Sequence, residues 1–237
     1  MFPPVCWRTV KFSLTLLLFL NINSYSQTKA KEKSYEWVRG IRLGCDLSRF
    51  GLPIFQKGRI ATEFSIDTEL KRNFTPTFEA GFENSTVNND RITYKSNGIY
   101  GRLGLDYNIL KREAPSNRHS FFVGARYGFS ASKQTTNWNI SGDYFAITPN
   151  GSSSDIIGTH WMELVVGLKV EVVKNLFLGW SLRERILFST TGVENYPYAI
   201  PGYGSGGKAS NLGLNYSVYY SIPLMKVKGQ IKIEPRD

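Results

Sequence analysis

Along most of this chain apolar and polar residues alternate position by position, a period of two that belongs to strands. Eight stretches carry it. In the first, Ile41, Leu43, Cys45 and Leu47 share one face, with Arg42, Gly44, Asp46 and Ser48 on the other. The second sets Ile60, Phe64, Ile66 and Leu70 against Glu63, Ser65, Asp67 and Glu69, and the third sets Phe78, Ala80 and Phe82 against Glu79, Gly81 and Glu83. The fourth is the cleanest, with Ile99, Leu103, Leu105, Tyr107 and Ile109 opposite Arg102, Gly104, Asp106 and Asn108. Phe121–Phe129, Met162–Val172, Leu178–Ile186 and Leu212–Tyr220 complete the set, with Arg126, Glu163, Lys169, Glu171, Arg183 and Arg185 on their polar faces. Most stretches run to about ten residues, the length of a tilted membrane strand. The pattern predicts an all-β fold, an eight-stranded antiparallel up-and-down transmembrane β-barrel.

The connections carry a second pattern. Those after strands two, four and six are expected to be short (71–76, 111–119 and the turn at Lys174-Asn175), and those after one, three, five and seven longer, especially 136–157 and 190–210. Outer-membrane barrels pair short periplasmic turns with longer surface loops and keep both termini in the periplasm. The run Tyr196–Gly207, rich in Gly, Tyr, Pro and Ser, reads as mobile, solvent-exposed surface.

Parity alone does not say which face is outside. A soluble lipocalin-like barrel would turn the same apolar face inward around an apolar ligand. Glycine on the polar face (Gly44, Gly81, Gly104, Gly124, Gly128, Gly167, Gly179, Gly213) favours lipid outside, because a narrow lumen needs small residues beside large charged ones. Aromatic residues near strand ends (Phe50, Phe55, Tyr94, Tyr100, Phe121, Trp161, Phe177, Tyr219, Tyr220) are expected to form the girdles at the two interfaces.

With the polar face inside, the expected site is a set of lumen charges: Arg42, Asp46, Glu63, Asp67, Glu79, Arg102, Asp106, Arg126, Glu163, Lys169, Arg183 and Arg185. Glu69, Glu83 and Glu171 share that face, so acids outnumber bases there. Isolated buried charge is costly, and eight strands enclose a space that side chains nearly fill. The first expectation is therefore a salt-bridged, closed lumen whose role is structural or lies in surface interaction through the long loops. The acidic excess leaves a narrow cation-preferring pore as the alternative.

The N-terminus changes the picture of location. Arg8 and Lys11 precede the apolar run Phe12–Leu20, and small residues follow at Ser24 and Ser26, the pattern of a secretory signal cleaved before Gln27. The expected organisation is a signal peptide at 1–26, a short periplasmic segment at 27–37, the barrel at 38–223 and a basic tail at 224–237. The formal net charge of +10 then falls by the two cations of the signal. Basic character in this location meets anionic lipid and glycan, not nucleic acid. One cysteine, Cys45, outlives the signal, so neither an internal disulfide nor a cysteine-built metal site is expected. No cofactor motif is present. Of the two histidines, His119 falls on the periplasmic side and His160 on the lipid-facing parity with Met162 two residues on, so no nucleophile, base and acid converge and no enzyme is expected. A lipid-modifying enzyme is the weakest alternative.

The ending Asn211-Leu-Gly-Leu-Asn-Tyr-Ser-Val218 resembles the final-strand signal by which the barrel-assembly machinery takes up outer-membrane proteins, carried by Asn211, Gly213, Tyr216 and Val218. More narrowly, Gly40–Ser48 and the ending through Tyr220-Ser-Ile-Pro-Leu-Met225 resemble a family of small exported proteins of Gram-negative bacteria with a domain of unknown function. That resemblance implies an outer-membrane barrel in contact with outer-membrane lipids. It implies no activity and no site residue.

Overall fold

In the computed structural model, residues 31–70, 73–89, 92–110, 118–138, 151–192 and 197–233 are described. The signal segment 1–26 lies outside them. The chain folds as β1 (Lys31–Asp46), helix α1 (Ser48–Phe55), β2 (Arg59–Thr68), β3 (Phe74–Asn88), β4 (Ile92–Asn108), β5 (Ser120–Trp138), β6 (Gly151–Val173), β7 (Leu176–Thr191), a two-stranded miniature sheet of β8 (Ala199–Ile200) and β9 (Gly204–Ser205), and β10 (Ser210–Ile233). Eight strands close into a barrel in the order β1-β10-β7-β6-β5-β4-β3-β2. The described ladders are antiparallel between sequence neighbours, as in β4–β5, which runs from Asn108↔Phe122 to Ile92↔Trp138. Closure brings β1 against β10, where the Leu47 amide donates to the Tyr216 carbonyl at 2.8 Å. Gly40 sits at this closure because a Cβ there would lie 2.3 Å from the Ile222 carbonyl oxygen. The barrel proper is Ser34–Gly229; the outermost strand residues 31–33 and 230–233 belong to a separate small unit.

The faces divide as the alternation predicts. Phe64, Ile99, Leu103, Leu182 and Leu214 point outward, Leu214 being 70% exposed, while the charged parity is buried. A soluble ligand-binding barrel needs the reverse arrangement. A sheet closed into a ring with an outward apolar belt pairs its strands around the wall and spans a membrane with strands. The chain is an eight-stranded membrane-spanning β-barrel of the outer-membrane type.

Three expectations require correction. First, several aromatics assigned to the girdles turn inward: Tyr94, Tyr100, Trp161, Phe177 and Tyr219 are all buried. They share the parity of the charges, and lumen glycines make room for them; a Cβ on Gly128 would lie 2.2 Å from the Trp161 ring. Phe121 and Tyr220 do face outward. Second, the connections after strands three and five are shorter than expected because the strands run on. β3 and β4 pair out to Asn88↔Thr93, and β5 and β6 out to Trp138↔Gly151. Beyond the bilayer both faces meet water, so the ladder continues without the apolar alternation that marks a strand in sequence. Third, the segment expected to be exposed and mobile between β7 and β10 is folded in: Ala199, Ile200, Pro201, Gly202 and Tyr203 are buried. Strand bounds also pass those read from sequence, β1 beginning at Lys31 and β10 running unbroken through Pro223 to Ile233.

Candidate functional site: a neutralised lumen and its cap

Period-two geometry aims every second side chain of seven barrel strands at one axis, and the sequence has loaded those positions with charge. Glu79 on β3 is the hub. Its carboxylate accepts from Arg126 at 3.0 Å, from Arg183 at 2.5 and 3.0 Å, and from Arg102 at 3.0 Å. Arg102 also reaches Glu63 at 2.9 Å and Glu163 at 2.7 Å, with no exposed surface of its own. Glu163 accepts from the Trp161 indole N–H at 2.7 Å, and Arg185 lies 3.5 Å from it. Glu63 accepts from the Tyr100 hydroxyl at 2.7 Å. Guanidinium forks supply several donors in one plane, so a few arginines serve many carboxylate oxygens.

Toward the chain termini a second group follows. Asp67 accepts from Arg42 at 2.5 Å and from Lys169 at 2.7 Å, and Asp106 accepts from Arg126 at 2.7 Å. Asp46, at the loop end of β1 and level with Glu63, takes the Ser48 amide at 2.9 Å and the Asn215 amide group. All twelve residues named from sequence therefore line one interior and are joined by ion pairs or hydrogen bonds.

Sequence reading missed three cations of this site. Arg49, on α1, bonds Glu63 at 2.8 Å; Arg59 bonds Glu83 at 2.7 Å; Arg118 bonds Glu171 at 3.1 Å. Arg59 and Arg118 lie on the inward parity of β2 and β5, just beyond the apolar run, so extending the alternation would have found them. Arg49 follows the end of β1 and enters from a helix, where strand parity has nothing to say. With these three, bases match acids in number among the described residues of the lumen, and the acidic excess read from sequence disappears there.

The inward-folded segment caps this network at the loop end, the end that carries α1 and the connection between β7 and β10. It is held by its backbone. Arg102 donates to the Gly202 carbonyl at 2.8 Å, Arg185 to the Tyr203 carbonyl at 3.2 Å, and the Gly202 amide donates to Glu83 at 3.3 Å. The Ala199 carbonyl accepts from Gln134 at 3.2 Å and Tyr94 at 3.3 Å. Ile200 and Tyr203 add an apolar cluster with Tyr100 and Trp161, while Leu187 packs at its edge. Gly202 has φ +75 and would press a Cβ to 2.5 Å from the Tyr100 ring, so the close approach demands glycine. Burial pushes the Tyr203 hydroxyl above its ordinary value, and as a neutral donor it bonds the Lys208 carbonyl at 2.7 Å.

Among the described residues no cluster of His, Cys, Asp and Glu is arranged to hold a metal ion. His160 lies on the outer face with its Nδ1 2.9 Å from the Tyr127 hydroxyl, and His119 Nδ1 accepts from the Glu171 amide at 3.2 Å. Each imidazole is thus engaged with a structural neighbour.

A family model described as Domain of unknown function (DUF6048) matches residues 8–227. No curated protein matches the sequence. Among solved structures, similarity is found to the N-terminal β-barrel domain of Pseudomonas aeruginosa OprF, at 14% identity over 79% of this chain and 100% of that one, TM-score 0.35. A major outer membrane protein from Thermus thermophilus aligns at 13% identity over 78% of this chain and 98% of that one, TM-score 0.42. Ail, the attachment invasion locus protein of Yersinia pestis, aligns at 9% identity over 84% and 100%, TM-score 0.39.

Proposed function

Since the chain belongs to the DUF6048 family, whose description carries no activity, we propose from its own geometry that it is a closed outer-membrane barrel acting through its loop-end surface. The observation that carries this reading is the backbone bonding of the inward segment to lumen side chains: three carbonyls and one amide, from Ala199 to Tyr203, are tied to β3, β4, β5 and β7. A segment so held fills the mouth above a neutralised core. The cation-preferring pore drew on an acidic excess that Arg49, Arg59 and Arg118 remove. Purified protein in planar bilayers is expected to show negligible conductance; reproducible ohmic steps would refute closure.

What remains available for partners is the rim, where the β5–β6 hairpin extends past the belt and Lys95 and Lys133 are exposed. On intact cells a membrane-impermeant amine reagent is expected to label Lys133, and labelling only after lysis would reverse the orientation. Assembly through the final strand belongs to the same proposal. Tyr216 and Val218 follow the outward parity of β10 and Asn211 and Gly213 the inward, and Val218→Asp is expected to lower the heat-modifiable fraction recovered from the outer membrane.

A further inference from the structure

β1 stops short. Its last pairings are Cys45↔Phe64 with β2 and the Leu47 amide with Tyr216 of β10. β2 continues past that point from Glu63 to Arg59, and β10 from Asn215 to Ser210, each still paired on its other side. At this place in the wall the chain leaves the strand and forms α1, which packs against β2. The height is fixed by chemistry: Arg49, in the first turn, bonds Glu63 at 2.8 Å and lies 3.3 Å from Asp46. Those carboxylates belong to the buried network, so α1 starts within the apolar belt and not above it.

The helix has two faces. With about 100° between successive residues, Leu47, Phe50 and Ile54 lie on the side away from Arg49, and Leu47 already has helical backbone angles. That side is uncovered: Phe50 is 55% exposed and Ile54 78%. It is continuous along the chain with the outward residues Leu43 and Cys45 of β1, and Ile60 and Phe64 flank it on β2. Gln56 and Lys57 follow at the helix end and are exposed, the place where a polar and a basic side chain would reach headgroups.

We propose that α1 is a lipid-contacting element of the wall: its Leu47–Phe50–Ile54 face is seated among acyl chains of the leaflet at the loop end, in place of the missing upper part of β1, while Arg49 pins the opposite face to the lumen. The occupant is lipid because the face prolongs the belt that lipid already covers, and because an amphipathic helix with apolar residues on one side and its charge on the other partitions into that boundary.

The test uses the full chain with Cys6 and Cys45 replaced by Ser, a bimane label on Ile54→Cys, and phosphatidylcholine vesicles with doxyl groups on the acyl chains. Phe64→Cys supplies the belt reference and Lys57→Cys the reference at the helix end. A heat-dependent gel shift verifies folding, and Phe50→Cys gives a second position on the same face. The Ile54 label is expected to lose fluorescence to acyl-chain doxyl groups as fully as the Phe64 label and to resist aqueous iodide. Quenching by iodide without quenching by doxyl lipid overturns the proposal and leaves the helix facing water. Protection from both quenchers, with cross-linked pairs of labelled chains, overturns it in favour of a second copy.

Discussion

Glu79 shows how much a single carboxylate decides when it is buried among arginines. Arg102, Arg126 and Arg183 all converge on it, so Glu79→Leu strands several guanidinium groups at once. Breaking buried ion pairs on one side costs about 3–5 kcal/mol, and a drop of that order is expected in urea unfolding of the reconstituted barrel. The opposite sign is expected at Glu184. This residue stands exposed on the outward parity of β7, between Leu164 and Leu212, with Ser210 Oγ 3.4 Å from its carboxylate. An acid facing hydrocarbon is unfavourable, so Glu184→Leu is expected to stabilise the barrel by about 1 kcal/mol in the same assay. Gly128 gives the steric counterpart: alanine there meets the Trp161 indole, and overpacking of this kind costs about 1–3 kcal/mol.

At the level of elements, the inward segment and α1 both depart from strand geometry, and both sit at the loop end. Tyr203→Ala is expected to loosen the cap, read as faster exchange of the Gly202 amide proton with the barrel strands unchanged; equal protection would mean that the backbone bonds suffice. These elements also mark the limit of what was legible in the sequence. Strands, faces and the twelve lumen charges follow from parity, because one side of each strand is forced into lipid and the other into a crowded interior. The cap did not follow, since Gly, Pro and Tyr suit an exposed loop as well as a tight inward turn, and what distinguishes the two is the docking of Ile200 and Tyr203 onto Tyr100 and Trp161. Those two aromatics stand at the start of the apolar runs read from sequence, where girdle residues are expected, but near the middle of the strands as they fold, and their inward parity is what separates the two roles. Arg49 was illegible for a simpler reason: its partner Glu63 is reached only after the chain has turned through a helix.

For the whole molecule, matched lumen charges and a closed wall lead to one bulk expectation. The folded barrel is expected to migrate differently before and after heating in a denaturing gel and to be recovered with the outer membrane. Recovery in the soluble periplasmic fraction would overturn the membrane assignment.

The way the ion pairs and hydrogen bonds of the lumen span the sequence bears on the timing of assembly. Glu79 of β3 meets its partner Arg183 only when β7 is present, Asp67 of β2 waits for Lys169 of β6, and Asp46 of β1 waits for Asn215 of β10. A half-built sheet therefore carries one face of unmatched charge that must stay hydrated. These partners come together only when the late strands are in place, so completing the polar network and closing the wall belong to one step.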